Sequence, residues 1–267
     1  MAVLTISREF GSGGREIGGA VAKALDYGIV DKDRILSDIR SMGHKWEQWS
    51  KDLDEHSPSI WEKYDWSFRG FVALMQSILL KYALKNRMVI LGRGGNFLLR
   101  DVPFVLRVRI TAPLENRIEC VMHRDTVDRS TAKWLIEKTD RERSGFIRSI
   151  YGKGWNEDAE YDDGFDTGVT SQEEIVQTLV KRLEERDRFF DEQSKHMVQM
   201  RAEAARIKAG LLTNPSLFIP TLDVEYDGRD IVLRGVIHNP RELERVEKEA
   251  RKLSGDLPMK VALHYRG

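Results

Sequence analysis

A glycine-rich turn close to the start of the chain constrains what this sequence can fold into. Val3, Leu4 and Ile6 have the small apolar side chains of a buried strand, Gly11-Ser12-Gly13-Gly14 leaves the backbone uncovered, and Ala20, Val21, Ala24 and Leu25 follow at helical spacing. Strand, turn and helix in this order present backbone N–H groups where a helix N-terminus concentrates partial positive charge, so an anion is expected there. The strict nucleotide motifs do not fit. Counting from Gly11 and Gly13, Glu16 stands where a dinucleotide fingerprint needs its third glycine. Against the pattern G-x-x-x-x-G-K-[ST], Gly13 is kept, but Arg8, Gly14 and Arg15 occupy the places of the first glycine, the lysine and the hydroxyl residue. On spacing alone, an ordinary βα turn stays open.

Further strand ends carry charged or glycine-rich turns. Residues 27–30 form an apolar segment that stops at Asp31-Lys32, and Met88-Val89-Ile90-Leu91 stops at Gly92-Arg93-Gly94-Gly95. Residues 104–110 read as a strand in which Arg107 and Arg109 alternate with apolar residues, and Pro113 suits the first position of the next helix. Strands alternating with helices predict an α/β fold, in which ligands collect at the carboxyl ends of a parallel sheet. Asp31 then faces the crevice of the glycine turn, although it could equally cap a helix. Arg93, between glycines, either approaches a phosphate with its planar fork or is a plain surface charge. His123-Arg124-Asp125 invites comparison with a protein-kinase catalytic loop, but Ser130 holds the asparagine position and no Asp-Phe-Gly exists, which excludes that class.

Ser7-Arg8-Glu9-Phe10-Gly11-Ser12-Gly13-Gly14-Arg15-Glu16-Ile17-Gly18, Asp31-Lys32, Gly92-Arg93-Gly94-Gly95-Asn96-Phe97 and Glu137-Lys138-Thr139-Asp140-Arg141 keep their order over roughly the first 180 residues. Together they resemble the cytidylate kinase-like family of P-loop nucleoside monophosphate kinases. The resemblance implies a P-loop kinase core of five parallel strands flanked by helices, the last over residues 161–167, where aspartates interrupt the apolar pattern. It implies transfer of the γ-phosphoryl group of ATP to a nucleoside monophosphate, CMP or dCMP, with Mg2+. Gly11, Ser12, Gly13, Gly14, Arg15 and Glu16 would hold the donor phosphates, with Arg15 standing in for the missing lysine. Asp31, Lys32, Arg34 and Arg93 would place the acceptor. From the arginine-dense stretch 114–150, otherwise a solvated helical face, Arg124, Arg141 and Arg143 would close as a lid oriented by Asp140. The metal ligand is not fixed, because Arg15 and Glu16 stand where a hydroxyl commonly coordinates magnesium. Trp46, Trp49, Trp61 and Trp66 fall in the segment that covers the acceptor in such kinases, though aromatic residues at near-helical spacing also serve packing. Two other readings stay open: a nucleotide-binding sensor acting through its C-terminal domain, and a kinase of another small acceptor.

Composition fits a soluble enzyme. The 267 residues, 41% hydrophobic, can bury one sizeable core plus a small second domain. Forty-three basic and 43 acidic side chains give no net charge, so no general basic field calls for nucleic acid. One cysteine, Cys120, excludes an intrachain disulfide and reads as a small apolar helix residue. Without a leader pattern or a long apolar run, a cytoplasmic protein lacking a transmembrane segment is expected.

Residues 171–212 read as one long connecting helix of roughly 60 Å. Phe190, Met197, Ala204 and Leu211 recur every seven residues along it, with Met200 and Ile207 between, which predicts a packing seam. Its partner is either the tail of this chain or a second copy in a homodimer. Residues 221–267 then alternate strands around Asp227-Gly228, a charged helix and a last strand. In that order, and in Ile231-Val232-Leu233-Arg234-Gly235-Val236, this small α/β unit is similar to a BON domain, an interaction module whose partner is unknown. The expected division is therefore a core over 1–170, the long helix over 171–212, and the BON-like unit over 221–267.

Overall fold

The computed structural model describes residues 2–42, 65–217, 219 and 221–266. Trp46, Trp49 and Trp61 of the expected acceptor cover lie outside the described residues. Five parallel strands form the main sheet: β1 (Val3–Arg8), β2 (Gly28–Val30), β3 (Met88–Leu91), β4 (Val105–Thr111) and β5 (Asp163–Asp166), in the spatial order β2-β3-β1-β4-β5. β1 is central, with Val3 opposite both Met88 and Val105. A central parallel strand is covered on both faces, which is why its apolar residues run together instead of alternating. β5 sits at the edge, and this explains its aspartates. The Asp162 carboxylate accepts the Arg107 N–H at 2.9 Å and pairs with the Arg107 guanidinium at 2.8 Å, while Asp163 pairs with Arg182 at 3.2 Å.

On one face of the sheet, Leu4, Ile6, Val108 and Ile110 pack against α1 (Gly14–Leu25) and α7 (Gln172–Arg186). On the other, Val3, Ile90 and Val105 pack against α3 (Trp66–Leu84), itself buried on most of its circumference rather than on one stripe. Short helices α2 (Lys32–Ser41) and α4 (Gly95–Leu98) follow β2 and β3. Between β4 and β5, α5 (Leu114–Asp125) and α6 (Arg129–Tyr151) form a hairpin with a small core of Ile118, Val121, Ala132 and Ile136. Pro113 is the N-cap of α5, one place earlier than the expected first helical position.

The single helix expected over 171–212 is two. α7 ends at Arg186, a short 3-10 turn covers Asp187–Phe189, and α8 (Glu192–Leu212) starts afresh. The Asp191 carboxylate accepts the Ser194 N–H at 2.7 Å and the Ser194 hydroxyl accepts the Asp191 N–H at 3.2 Å, a capping box that nucleates the second helix without proline or glycine. α8 lies along α3. Met200, Ala204, Ile207 and Leu211 of the predicted seam are buried there, with Phe190 and Met197 against the same cluster, so the seam is filled from within the chain.

A second sheet, β6 (Asp223–Tyr226), β7 (Ile231–Ile237) and β8 (Met259–Tyr265), is antiparallel between β6 and β7 and parallel between β7 and β8. α9 (Pro240–Ser254) makes the crossover. Leu233, Ile237, Val246 and Ala250 of this unit belong to the same hydrophobic cluster as α3 and α8. Arg69 of α3 donates to the Leu222 carbonyl at 2.7 Å, tying the two sheets' surroundings together.

Candidate functional site

The carboxyl ends of β1, β2 and β3 open into one crevice, as the parallel topology requires. Gly11 and Gly13 have φ of 82° and 79°, a left-handed turn that brings the chain into α1 with Gly13 as N-cap. Gly13 has no side chain with which to cap this helix, so its first N–H groups face the crevice. The turn is braced from behind. The Ser12 hydroxyl lies 2.9 Å from the Glu9 carbonyl and 3.2 Å from that of Ile110, and the Glu9 carboxylate accepts the Ala112 N–H at 3.2 Å. Arg109 and Arg117 approach the same carboxylate at 3.7 and 3.6 Å.

Two adjoining cavities occupy the crevice. The larger, about 310 Å³, lies over the glycine turn and is lined by Gly11 to Glu16, Asp31, Asp33 and Arg124. The smaller, about 40 Å³, lies between β3 and α6 and is lined by Ser7, Arg93, Asn96, Phe146 and Trp155. Arg8, Lys32, Leu91 and Arg143 line both. At this junction Arg143 donates to the Arg8 carbonyl at 2.9 Å, while Phe10 lies under the guanidinium groups of Arg124 (4.7 Å) and Arg143 (5.6 Å).

In the smaller cavity Trp155 Nε1 donates to the Ser7 hydroxyl at 2.8 Å, and Tyr161 also reaches it, at 3.2 Å. Gly92, Arg93 and Gly94 all have positive φ, and for Arg93 (56°) that is a strained conformation held by its surroundings. Tyr151 supplies part of the restraint: its hydroxyl donates to the Arg93 carbonyl at 3.2 Å and its ring fills the space beside Gly94, where a Cβ would lie 2.1 Å from it. Burial pushes the Tyr151 phenol up to about 12, so it stays a neutral donor.

The structure brings together most of the residues singled out in the sequence and sets three apart. Asp31 takes both of its expected roles, capping α2 through the Arg34 N–H (3.1 Å) and pairing with Arg15 at 2.9 Å. Arg15, expected at the donor, and Asp31, expected at the acceptor, are thus joined to each other. Arg34 turns away, donating to the Tyr82 hydroxyl at 2.7 Å and pairing with Asp38 at 3.5 Å, and it lines neither cavity. Arg141 is exposed on α6, outside both cavities. Asp140 holds Arg117 at 2.5 Å and the Phe10 N–H at 2.9 Å, so it braces the glycine turn instead of orienting a lid arginine. Cys120, expected as an apolar helix residue, is exposed at the edge of the larger cavity. Missed by sequence reasoning were Arg8, Asn96, Phe146 and Trp155. Arg8 alone carried a local signal, since it ends the first strand beside the glycine turn.

The profile of the cytidylate kinase-like family matches residues 3–168. A solved structure of an uncharacterized protein from Eubacterium ventriosum ATCC 27560 is similar over 69% of this chain and 99% of its own, with 19% identity and a TM-score of 0.55, a likeness of fold. Shikimate kinase from Acinetobacter baumannii, in complex with shikimate, aligns over 69% of this chain and 94% of its own, with 14% identity and a TM-score of 0.40. Uronate isomerase of Corynebacterium glutamicum is 30% identical over 99 residues, which span 37% of this chain and 19% of the isomerase. The chain thus spans about a fifth of that relative's length.

Proposed function

Because this chain belongs to the cytidylate kinase-like family, we propose that it transfers the γ-phosphoryl group of ATP to a nucleoside monophosphate, with CMP or dCMP as acceptor. The observation that carries this reading is the pair of adjoining cavities that share Arg8, Lys32 and Arg143. Donor phosphates would lie on the N–H groups at the start of α1, with Arg15 exchanging Asp31 for a phosphate oxygen. The acceptor would enter between Arg93, Asn96, Phe146 and Trp155, where aromatic faces suit a base and a guanidinium suits its phosphate. At about 40 Å³ that cavity is below the roughly 300–1,000 Å³ of ordinary ligand sites, and an acceptor would extend from it into the adjoining larger cavity. Phosphoryl transfer asks for positioning and for charge aimed at the equatorial oxygens; Arg143 and Arg8 stand where the group would cross.

Magnesium bound to the donor would neutralise phosphate charge. The fit is partial: Glu16, Asp31 and Asp33 line the larger cavity, yet among the described residues no three acidic, histidine or cysteine side chains gather as a metal centre. One or two carboxylates with substrate phosphates are what this ion usually takes, so Glu16 and Asp33 are the proposed contacts.

We read residues 221–267 as a BON-like interaction unit and propose a cytoplasmic location; among the described residues no helix is long and apolar enough to cross a membrane. Measuring ATP consumption by the purified full chain with magnesium, against each nucleoside monophosphate in turn, tests the activity. Turnover with CMP or dCMP above all others is expected. Tight ATP binding without transfer to any monophosphate would replace the enzyme with a nucleotide sensor.

A further inference from the structure

Away from the crevice, a third cavity of about 170 Å³ opens where α3, α6 and α8 meet. Arg69 and Gln76 of α3, Ser149 of α6 and Lys208 of α8 line it, with Val72 and Ile150 as apolar wall. Its charges are not balanced. Lys208 pairs with Asp223 at 2.7 Å, and among the described residues the guanidinium of Arg69 makes one hydrogen bond, from Nη2 to the neutral Leu222 carbonyl. Arg69 Nη1 is buried and, among the described residues, has no hydrogen-bond partner. Burial holds the Arg69 pKa below that of an ordinary arginine, opposed by Asp223. A half-buried cation with an unmet N–H carries a cost, and an anionic oxygen would satisfy both charge and donor, whereas water would serve the N–H alone.

We infer that this cavity is a second ligand site, which takes a small organic anion: a carboxylate or phosphate monoester on an apolar body. Arg69 holds the anionic group, Lys208 adds long-range attraction, and Val72 and Ile150 contact the body. The site is physically joined to the crevice. α6 presents Phe146 and Ile147 to the small cavity there and Ser149 and Ile150 to this one. Gln76 hydrogen-bonds the Tyr151 side chain, whose hydroxyl restrains the Arg93 carbonyl. An anion that draws on Gln76 therefore acts on the turn that carries Arg93.

Benzoate and phenyl phosphate are suitable probes, with benzamide as the neutral counterpart of benzoate, titrated into the isotopically labelled full chain and followed by NMR. The expected result is saturable shifts at the Arg69 and Gln76 side chains, with the Arg93 and Gly94 amides moving at the same midpoint. Benzamide should bind at least about tenfold more weakly, the loss of one charge-assisted contact. Arg69→Met should weaken the anions to the same extent, and Arg69→Lys should keep most of the affinity. Should Arg69→Met not fold by circular dichroism, Lys208→Met serves, with a smaller loss expected. Binding of benzoate alone, or of phenyl phosphate alone, assigns the headgroup. No saturable shift at Arg69 with either anion up to about 10 mM, or affinity unchanged in a folded Arg69→Met chain, overturns the site.

Discussion

Arg143 and Arg141 lie two residues apart on α6, yet only Arg143 reaches the junction of the two cavities. Removing a group that acts on the transferring phosphoryl lowers kcat without a matching loss of donor binding. Arg143→Ala is therefore expected to reduce turnover at least about a hundredfold, and Arg141→Ala to stay within about threefold, in steady-state assays with the preferred acceptor. Arg15→Ala should weaken ATP roughly ten- to a hundredfold in equilibrium titration, since one charge-assisted contact is worth about 1.5–3 kcal/mol. Tyr151 makes a prediction about pH. Its folded pKa is raised to about 12 from an ordinary 10, so the neutral form favours the fold; that contribution is complete below pH 10 and disappears as pH rises through 12. Denaturant midpoints measured across this window should fall more steeply for the parent than for Tyr151→Phe, by on the order of 2 kcal/mol in all. The glycine turn and its anion site were legible because they are local. Trp155 and Ser7 were not, because a hydrogen bond between residues 148 apart leaves no periodic mark.

At the scale of elements, the sequence was read best where burial imposes a period or where turns carry glycine. The first four main strands and the turns after β1 and β3 fall where the pattern puts them, and the fifth, whose aspartates break the pattern, falls where the family resemblance puts it. The break between α7 and α8 was missed because it uses Asp191 and Ser194, polar residues that carry no break signal in the sequence until their side chains turn onto the backbone. Asp191→Ala removes that cap, and the melting temperature should drop by a few degrees, with helix content by circular dichroism hardly changed. A drop no larger than that of an exposed substitution such as Glu192→Ala would mean that packing on α3 alone starts α8. The seven-residue seam was correctly located but its partner was not, since a period states that a face is buried and says nothing of which surface covers it.

For the whole molecule, the stretches 1–170, 171–212 and 221–267 are divisions of sequence and not of core. Val3 in the main sheet, Ile207 in α8 and Leu233 in the second sheet belong to one hydrophobic cluster. Calorimetry of the full chain should therefore show a single unfolding transition, and a chain cut after Leu212 should melt lower, because Leu211 and Leu212 lose their cover. Two resolved transitions in the full chain would mean that the second sheet folds by itself.

The placement of α8 on α3 also bears on how the chain is born. α3 emerges from the ribosome with apolar side chains on most of its surface, and the helix that covers its outer side is synthesised roughly a hundred residues later. At about 5–20 residues per second, that interval leaves a greasy nineteen-residue helix without its native cover for several seconds, longer than collapse takes. Production of this protein should accordingly depend on chaperones that hold nascent chains, and slowing translation before residue 192 should increase aggregation instead of relieving it.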